Sequence, residues 1–218
     1  MLGGVPIIGF LHTADVHVAT FRALLADAAP DAGDLHAVDA ALLEDARAGA
    51  DVKERLAARL RALAADGADV VVCTCSTLSG LAETVDAGVP VLRVDRPMAE
   101  AAVAGGGRVA VVAALASTLA PTAGLLRECA ALAGATVEIV EAPCLDAWAL
   151  FESGELDAYV RRVAEHVRAV AATADVVVLA QASMAPAADL LPDLPVLSSP
   201  RAAVTAALRS VGKRGPVG

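Results

Sequence analysis

The chain has 218 residues, 57% hydrophobic and 20% charged, and 26 acidic against 17 basic residues give a formal charge of -9. That balance, with no run of like charges longer than a pair such as Arg161-Arg162, argues against a nucleic-acid or anionic-membrane partner. Apolar runs broken by Asp, Arg or Gly within about ten residues are too short for the roughly 20 a membrane span needs, so a cytoplasmic protein is expected.

Short β-branched apolar runs predict strands at 7–12, 35–40, 69–74, 89–94, 108–114, 136–142, 175–180 and 195–198. Between them lie segments of helical period. In 52–65, Val52, Leu56, Leu60 and Leu63 make one apolar face with Arg55 and Arg59 turned away, and in 156–172 Tyr159, Val163, Val167 and Val170 do the same. Strand and helix in alternation predict an α/β chain with parallel sheets covered by helices. Four cysteines, Cys73, Cys75, Cys129 and Cys144, are too few and too irregular for a disulfide framework and are expected as thiols. Cys73 and Cys129 read as buried core, and so does Cys144.

The chain repeats itself. Ala68-Asp69-Val70-Val71-Val72 recurs as Ala174-Asp175-Val176-Val177-Val178, and Val89-Pro90-Val91-Leu92 recurs as Leu194-Pro195-Val196-Leu197. Upstream, Ile7 to His12 is matched to Val109 to Ala114. The order of matches predicts two pseudosymmetric, doubly wound α/β halves. Residues 1–98 with 199–218 form the first, the C-terminal helix packing back onto it, and 99–198 form the second. Ligands of open parallel sheets bind beyond the carboxyl ends of strands, which are here His12-Thr13, Cys73 to Thr77, Ala113 to Thr118 and Gln181 to Ser183. Two halves facing one another would set Cys75 and its repeat partner Gln181 on opposite walls of a cleft.

Cys75, Ser76 and Thr77 combine a thiol, hydroxyls and backbone N–H groups where a strand turns into a helix, a pattern suited to binding a carboxylate and to ionising a thiol. A C-x-C metal site is not expected, because no further Cys/His cluster supplies ligands. His12, at the end of the first strand, is a candidate acid/base, with a buried structural histidine as the alternative. His17, His36 and His166 are expected at solvated surfaces, as are Arg93, Arg96 and Arg201. Gly105-Gly106-Gly107 precedes a strand and reads as a turn, not a phosphate loop.

The runs Ile8-Gly9-Phe10-Leu11-His12-Thr13, Thr74-Cys75-Ser76-Thr77, Val109 to Leu119 and Val177 to Met184 together resemble the aspartate/glutamate/hydantoin racemase superfamily over about residues 5 to 208. The resemblance implies a cofactor-independent enzyme that moves a proton at the carbon next to a carboxylate of a small acid, and a homodimer or higher homo-oligomer. It implies Cys75 as acid/base, assisted by His12. It also implies substrate binding by Thr13, Ser76, Thr77, Ser117, Thr118, Gln181 and Ser183. The departure is Gln181, which stands where the family has its second cysteine and whose amide exchanges no proton at neutral pH. One-sided chemistry, such as decarboxylation of a malonate-like diacid or cis–trans isomerisation of a diacid, therefore stands beside racemisation, as does carboxylate binding without turnover.

Overall fold

The computed structural model describes residues 5–212. In chain order these form β1 (Ile7–His12), α1 (Val16–Ala28), β2 (Gly33–Val38), α2 (Ala40–Arg47), α3 (Lys53–Ala65), β3 (Val70–Cys73), α4 (Ser76–Ala82) and β4 (Val91–Arg93). There follow α5 (Arg96–Val103), β5 (Gly107–Ala113), α6 (Ala116–Ala133), β6 (Val137–Pro143), α7 (Trp148–Glu152), α8 (Leu156–Ala171), β7 (Val176–Leu179), α9 (Pro186–Asp189), β8 (Val196–Ser198) and α10 (Ser199–Gly212). Asp95–Ser199 makes one compact unit, and the described residues before and after it make the other. Helix α5, which follows the last strand of the first sheet, therefore belongs to the second unit, while almost all of α10 belongs to the first.

Both units have the same sheet. The orders are β2-β1-β3-β4 and β6-β5-β7-β8, and every pairing is parallel. All eight expected strands are present, with ends displaced by up to two residues. The register corrects the repeat by one residue. Ile8 pairs with Val70 and Val109 pairs with Val176, so β1 corresponds to Arg108–Ala113 and not to Val109 to Ala114. The repeated aspartates explain why: Asp69 Oδ2 accepts the Ile7 N–H at 2.8 Å and Asp175 Oδ2 accepts the Arg108 N–H at 2.7 Å. Each carboxylate satisfies the backbone donor that opens the neighbouring strand, which fixes where that strand begins. Gly107 is required at this point in the second unit. Its φ is +82°, and a Cβ there would lie 2.4 Å from Asp175 Oδ2.

Helix α3 shows how the sheet is covered. Leu56, Leu60 and Leu63 recur at helical spacing and are buried against β1 and β3, each contributing about 1.5–3 kcal/mol. Gly67, at φ +106°, then turns the chain into β3. Gly9 on β1 lets the helix approach closely, since a Cβ there would meet the Ala68 Cβ at 3.0 Å and the Leu63 Cβ at 3.4 Å. The polar side of α3 is anchored too. Arg55 and Arg59 both donate to the buried carboxylate of Asp39, just ahead of α2. Among the described residues no helix is long and apolar enough to cross a membrane.

Candidate functional site

At the carboxyl end of β3 the chain leaves the sheet through Thr74 and Cys75 and enters α4. Cys75 is extended (φ -93°, ψ 109°), and its carbonyl accepts the N–H groups of Leu78 and Ser79 at 3.0 and 2.8 Å. Ser79 braces the turn from within. Its fully buried hydroxyl lies 3.0 Å from the Cys73 carbonyl and 2.9 Å from that of Cys75.

The Cys75 side chain is free and 8% exposed. Burial pushes its thiol pKa up, while the Thr13 hydroxyl, the Leu78 and Thr77 N–H groups and the Thr77 hydroxyl donate hydrogen bonds that pull it down; burial wins. Cys75 therefore rests as a thiol, surrounded by donors ready to stabilise a thiolate. Ser76 Oγ is buried beside it with no hydrogen-bond partner among the described residues. A buried hydroxyl left without a partner costs free energy, which a ligand oxygen would relieve.

His12, at the end of β1, is fully buried, with both ring nitrogens engaged. Nδ1 lies 2.9 Å from Thr74 Oγ1, and Nε2 lies 2.8 Å from His36 Nδ1. Burial, with smaller contributions from His36 and His17, lowers its pKa to about 3, so the ring is neutral at neutral pH. The acid/base expected from sequence thus has no ring nitrogen open to a ligand in this arrangement. His17 on α1 is also lowered by burial, to about 4.

Four surface expectations fail, that for His17 among them, which is half-buried. His36 is not solvated: its side chain is 6% exposed, stacked on Phe10, and its Nε2 lies 2.7 Å from Asp34 Oδ2. His166 is half-buried, with Nε2 3.1 Å from the Ala142 carbonyl. Arg93 is buried at the end of β4, its guanidinium passing so near α4 that a Cβ on Gly80 would lie 3.2 Å from it. Arg96 pairs with Glu128 at 2.9 Å, and Arg201 pairs with Asp27 at the surface.

In the second unit the same turn carries Gln181 at the end of β7. Gln181 Oε1 accepts the N–H groups of Ala114 and Leu115 at 2.6 and 3.1 Å. In the corrected register Ala114 is the counterpart of Thr13, so Gln181 holds the backbone at the position whose counterpart meets Cys75 through a side chain. Ser117 Oγ, in the first turn of α6, is buried without a partner among the described residues, and Thr118 is buried. Ser183 is held by Tyr159, hydroxyl to hydroxyl at 2.9 Å. The first unit thus brings together Thr13, Cys75, Ser76 and Thr77 at one strand end, and the second assembles Ser117, Thr118 and Gln181 around its own. Among the described residues no group of three or more His, Cys, Asp or Glu side chains is placed to hold a metal ion.

No curated protein matches the sequence at a significant level. Solved structures with the same fold include a Picrophilus torridus aspartate racemase, 14% identical with a TM-score of 0.77 over 95% of this chain and 94% of that one. An allantoin racemase from Klebsiella pneumoniae is 21% identical with a TM-score of 0.67 over 95% and 88%. An arylmalonate decarboxylase is 20% identical with a TM-score of 0.60 over 96% and 94%. The sequence model of the Asp/Glu/Hydantoin racemase family matches residues 8–207, nearly the whole chain, and the protein belongs to that family.

Proposed function

We propose that the protein is a cofactor-independent enzyme of the racemase kind that moves a proton at the carbon next to a carboxylate of a small acid, with Cys75 as the acid/base. The observation that carries this reading is the Cys75 thiol itself, buried at a strand end where Thr13 and Thr77 favour its ionised form, with the unpartnered Ser76 hydroxyl beside it.

The chemistry follows from those donors. As a thiolate, Cys75 takes the proton from the carbon, forming S–H while the C–H electron pair moves into the carboxylate as an enolate. Donors already in place stabilise the charge that develops there. Return of that proton by the same thiol restores the starting configuration; inversion requires a proton from water on the opposite face, with Cys75 then giving its proton back to solvent. Thr13, Ser76 and Thr77 are the proposed substrate contacts in the first unit. Ser117, Thr118, Gln181 and Ser183 are those proposed from the second, where the Ser117 hydroxyl and the Gln181 amide N–H groups suit a carboxylate. His12 could carry a proton only by giving up Thr74 or His36, so a supporting role is the better assignment for it.

A second reading has its own observations. The Gln181 amide is neither an acid nor a base at neutral pH, and Cys75 rests as a thiol, the form that donates. Both suit one-sided protonation of an enolate left by decarboxylation of a malonate-type diacid, and the likeness to an arylmalonate decarboxylase supports keeping it. One experiment separates the two. The protein and its Cys75→Ser variant are incubated with single enantiomers of aspartate, glutamate and allantoin and with a substituted malonate. Chiral chromatography and CO2 release are then followed. Enantiomer interconversion lost in Cys75→Ser supports the first reading, and CO2 release lost in the variant supports the second. Turnover retained by Cys75→Ser overturns the role of the thiol.

A further inference from the structure

An unbroken line of side-chain hydrogen bonds runs from the surface to the turn that carries Cys75. Arg22 Nε donates to Asp34 Oδ2 at 2.7 Å, and the same oxygen lies 2.7 Å from His36 Nε2. His36 Nδ1 lies 2.8 Å from His12 Nε2, and His12 Nδ1 lies 2.9 Å from Thr74 Oγ1. Side-chain exposure falls from 60% at Arg22 to 26% at Asp34 and 6% at His36, and His12 is fully buried. Asp34 is therefore the exposed end of the line.

Counting hydrogens along the line fixes the tautomers. The Asp34 carboxylate only accepts, so His36 Nε2 carries a hydrogen. In a neutral His36, Nδ1 is then bare and must receive the Nε2 hydrogen of His12. That leaves His12 Nδ1 bare, and the Thr74 hydroxyl must donate to it. A proton added to His36 reverses the order: His36 Nδ1–H donates to His12 Nε2, and His12 Nδ1–H donates to Thr74 Oγ1. The Thr74 hydroxyl then turns to the Leu11 carbonyl, 3.1 Å away.

We propose that Asp34 and His36 are positioning residues for Cys75: by deciding which nitrogen of His12 carries the hydrogen they direct the Thr74 hydroxyl and clamp the end of β1 to the end of β3. This rests on the reading of Cys75 as the working thiol. The geometric reason is adjacency. Thr13 follows His12 and Cys75 follows Thr74, so the His12–Thr74 bond ties together the two segments that carry Thr13 and Cys75. The groups facing His36 are Asp34 on its own strand, His12 on β1, and Arg22 on α1, with His17 of α1 near His12. Burial and Arg22 lower the His36 pKa and Asp34 raises it, with a net fall, so the uncharged arrangement holds at neutral pH.

The test reads tautomers and thiol reactivity, neither of which needs turnover, so its failure is distinct from failure of the proposed reaction. Long-range 15N–1H correlation on histidine-labelled protein should find both His12 and His36 as Nε2–H tautomers at neutral pH. On acidification His12 should switch to Nδ1–H at the midpoint where His36 takes up its proton. His36→Asn keeps an acceptor near the former Nδ1 and should preserve the His12 tautomer while abolishing the acid switch. His36→Phe keeps the stack on Phe10 without an acceptor; it should mix the His12 tautomers and change the rate of Cys75 alkylation by iodoacetamide about 2- to 10-fold, the worth of one hydrogen bond. Asp34→Asn, at the exposed end, should mix the tautomers even if His36→Phe does not fold. A His12 tautomer unchanged in Asp34→Asn and His36→Phe overturns the proposal. So does an acid switch that persists in His36→Asn, or a Cys75 alkylation rate that ignores the tautomer.

Discussion

Thr13→Val removes one donor from the Cys75 sulfur while keeping the branched shape of the side chain. Thr13 is the largest of the influences that favour the Cys75 thiolate against burial, ahead of Leu78 and Thr77, and at 8% exposure little water can replace it. A hydrogen bond to a charged group is worth about 1.5–3 kcal/mol, so losing one should reduce the thiolate population at a given pH by about 10- to 150-fold. The assay is the rate of alkylation by iodoacetamide as a function of pH, with peptide mass spectrometry to separate Cys75 from Cys73, Cys129 and Cys144. In the range where the thiol predominates, the Thr13→Val rate should lie below wild type by that factor, and Thr13→Ser, which keeps the hydroxyl, should not. Equal rates for Thr13→Val and wild type would refute the claim that Thr13 stabilises the thiolate.

Gly9→Ala should destabilise the first unit by about 1–3 kcal/mol, because its Cβ meets the Ala68 Cβ at 3.0 Å in a packed helix–sheet contact; urea unfolding checks this. Asp39 is pushed up by burial but held below the usual carboxylate range by hydrogen bonds from Arg59 and Arg55. Its contribution is therefore present above the ordinary carboxylate pKa and lost as pH falls through the lowered native value, and acid unfolding of Asp39→Asn should lack that component. His12 and His17 act across a different window. Their native pKa values of about 3 and about 4 lie below the ordinary 6.5, so the unfolded chain binds more protons between these limits. Stability should fall as pH drops from 6.5 toward 4, as thermal melts across that range will report.

The duplicated architecture was legible because it is written in apolar period and in the recurring Ala-Asp-Val-Val-Val, whose aspartate has the same backbone duty in both units. The one-residue error in matching β1 to β5 arose because valine and alanine runs look alike under a single slip; the strand pairing and the hydrogen bonds of Asp69 and Asp175 mark the register. Cys75, Ser76 and Thr77 stood out as polar residues at a predicted strand end. His36 and Asp34 did not. His36 read as a solvated surface histidine and Asp34 lay outside the expected strand, and the burial of His36 depends on β2 pairing Phe10 with His36 and on α1 covering that face, neither of which a local pattern records. Arg93 was misplaced for the same reason: a charged residue at a strand end looks solvated until the helix that covers it is in place. Ser79 did not stand out in the sequence, since its role depends on reaching back to the carbonyls of Cys73 and Cys75.

At the centre of the proposed chemistry is the exchange of a proton between Cys75 and carbon. The most direct measurement is proton NMR in deuterated water of the protein and of Cys75→Ala with the same amino acids, allantoin and a substituted malonate. Wild type should replace the hydrogen next to the carboxylate with deuterium, or leave deuterium there after CO2 is lost, for at least one compound, and Cys75→Ala should do neither. Incorporation that persists in Cys75→Ala, or no incorporation from any compound alongside ligand-induced shifts that the variant retains, would contradict that expectation and leave a carboxylate-binding protein on a racemase fold.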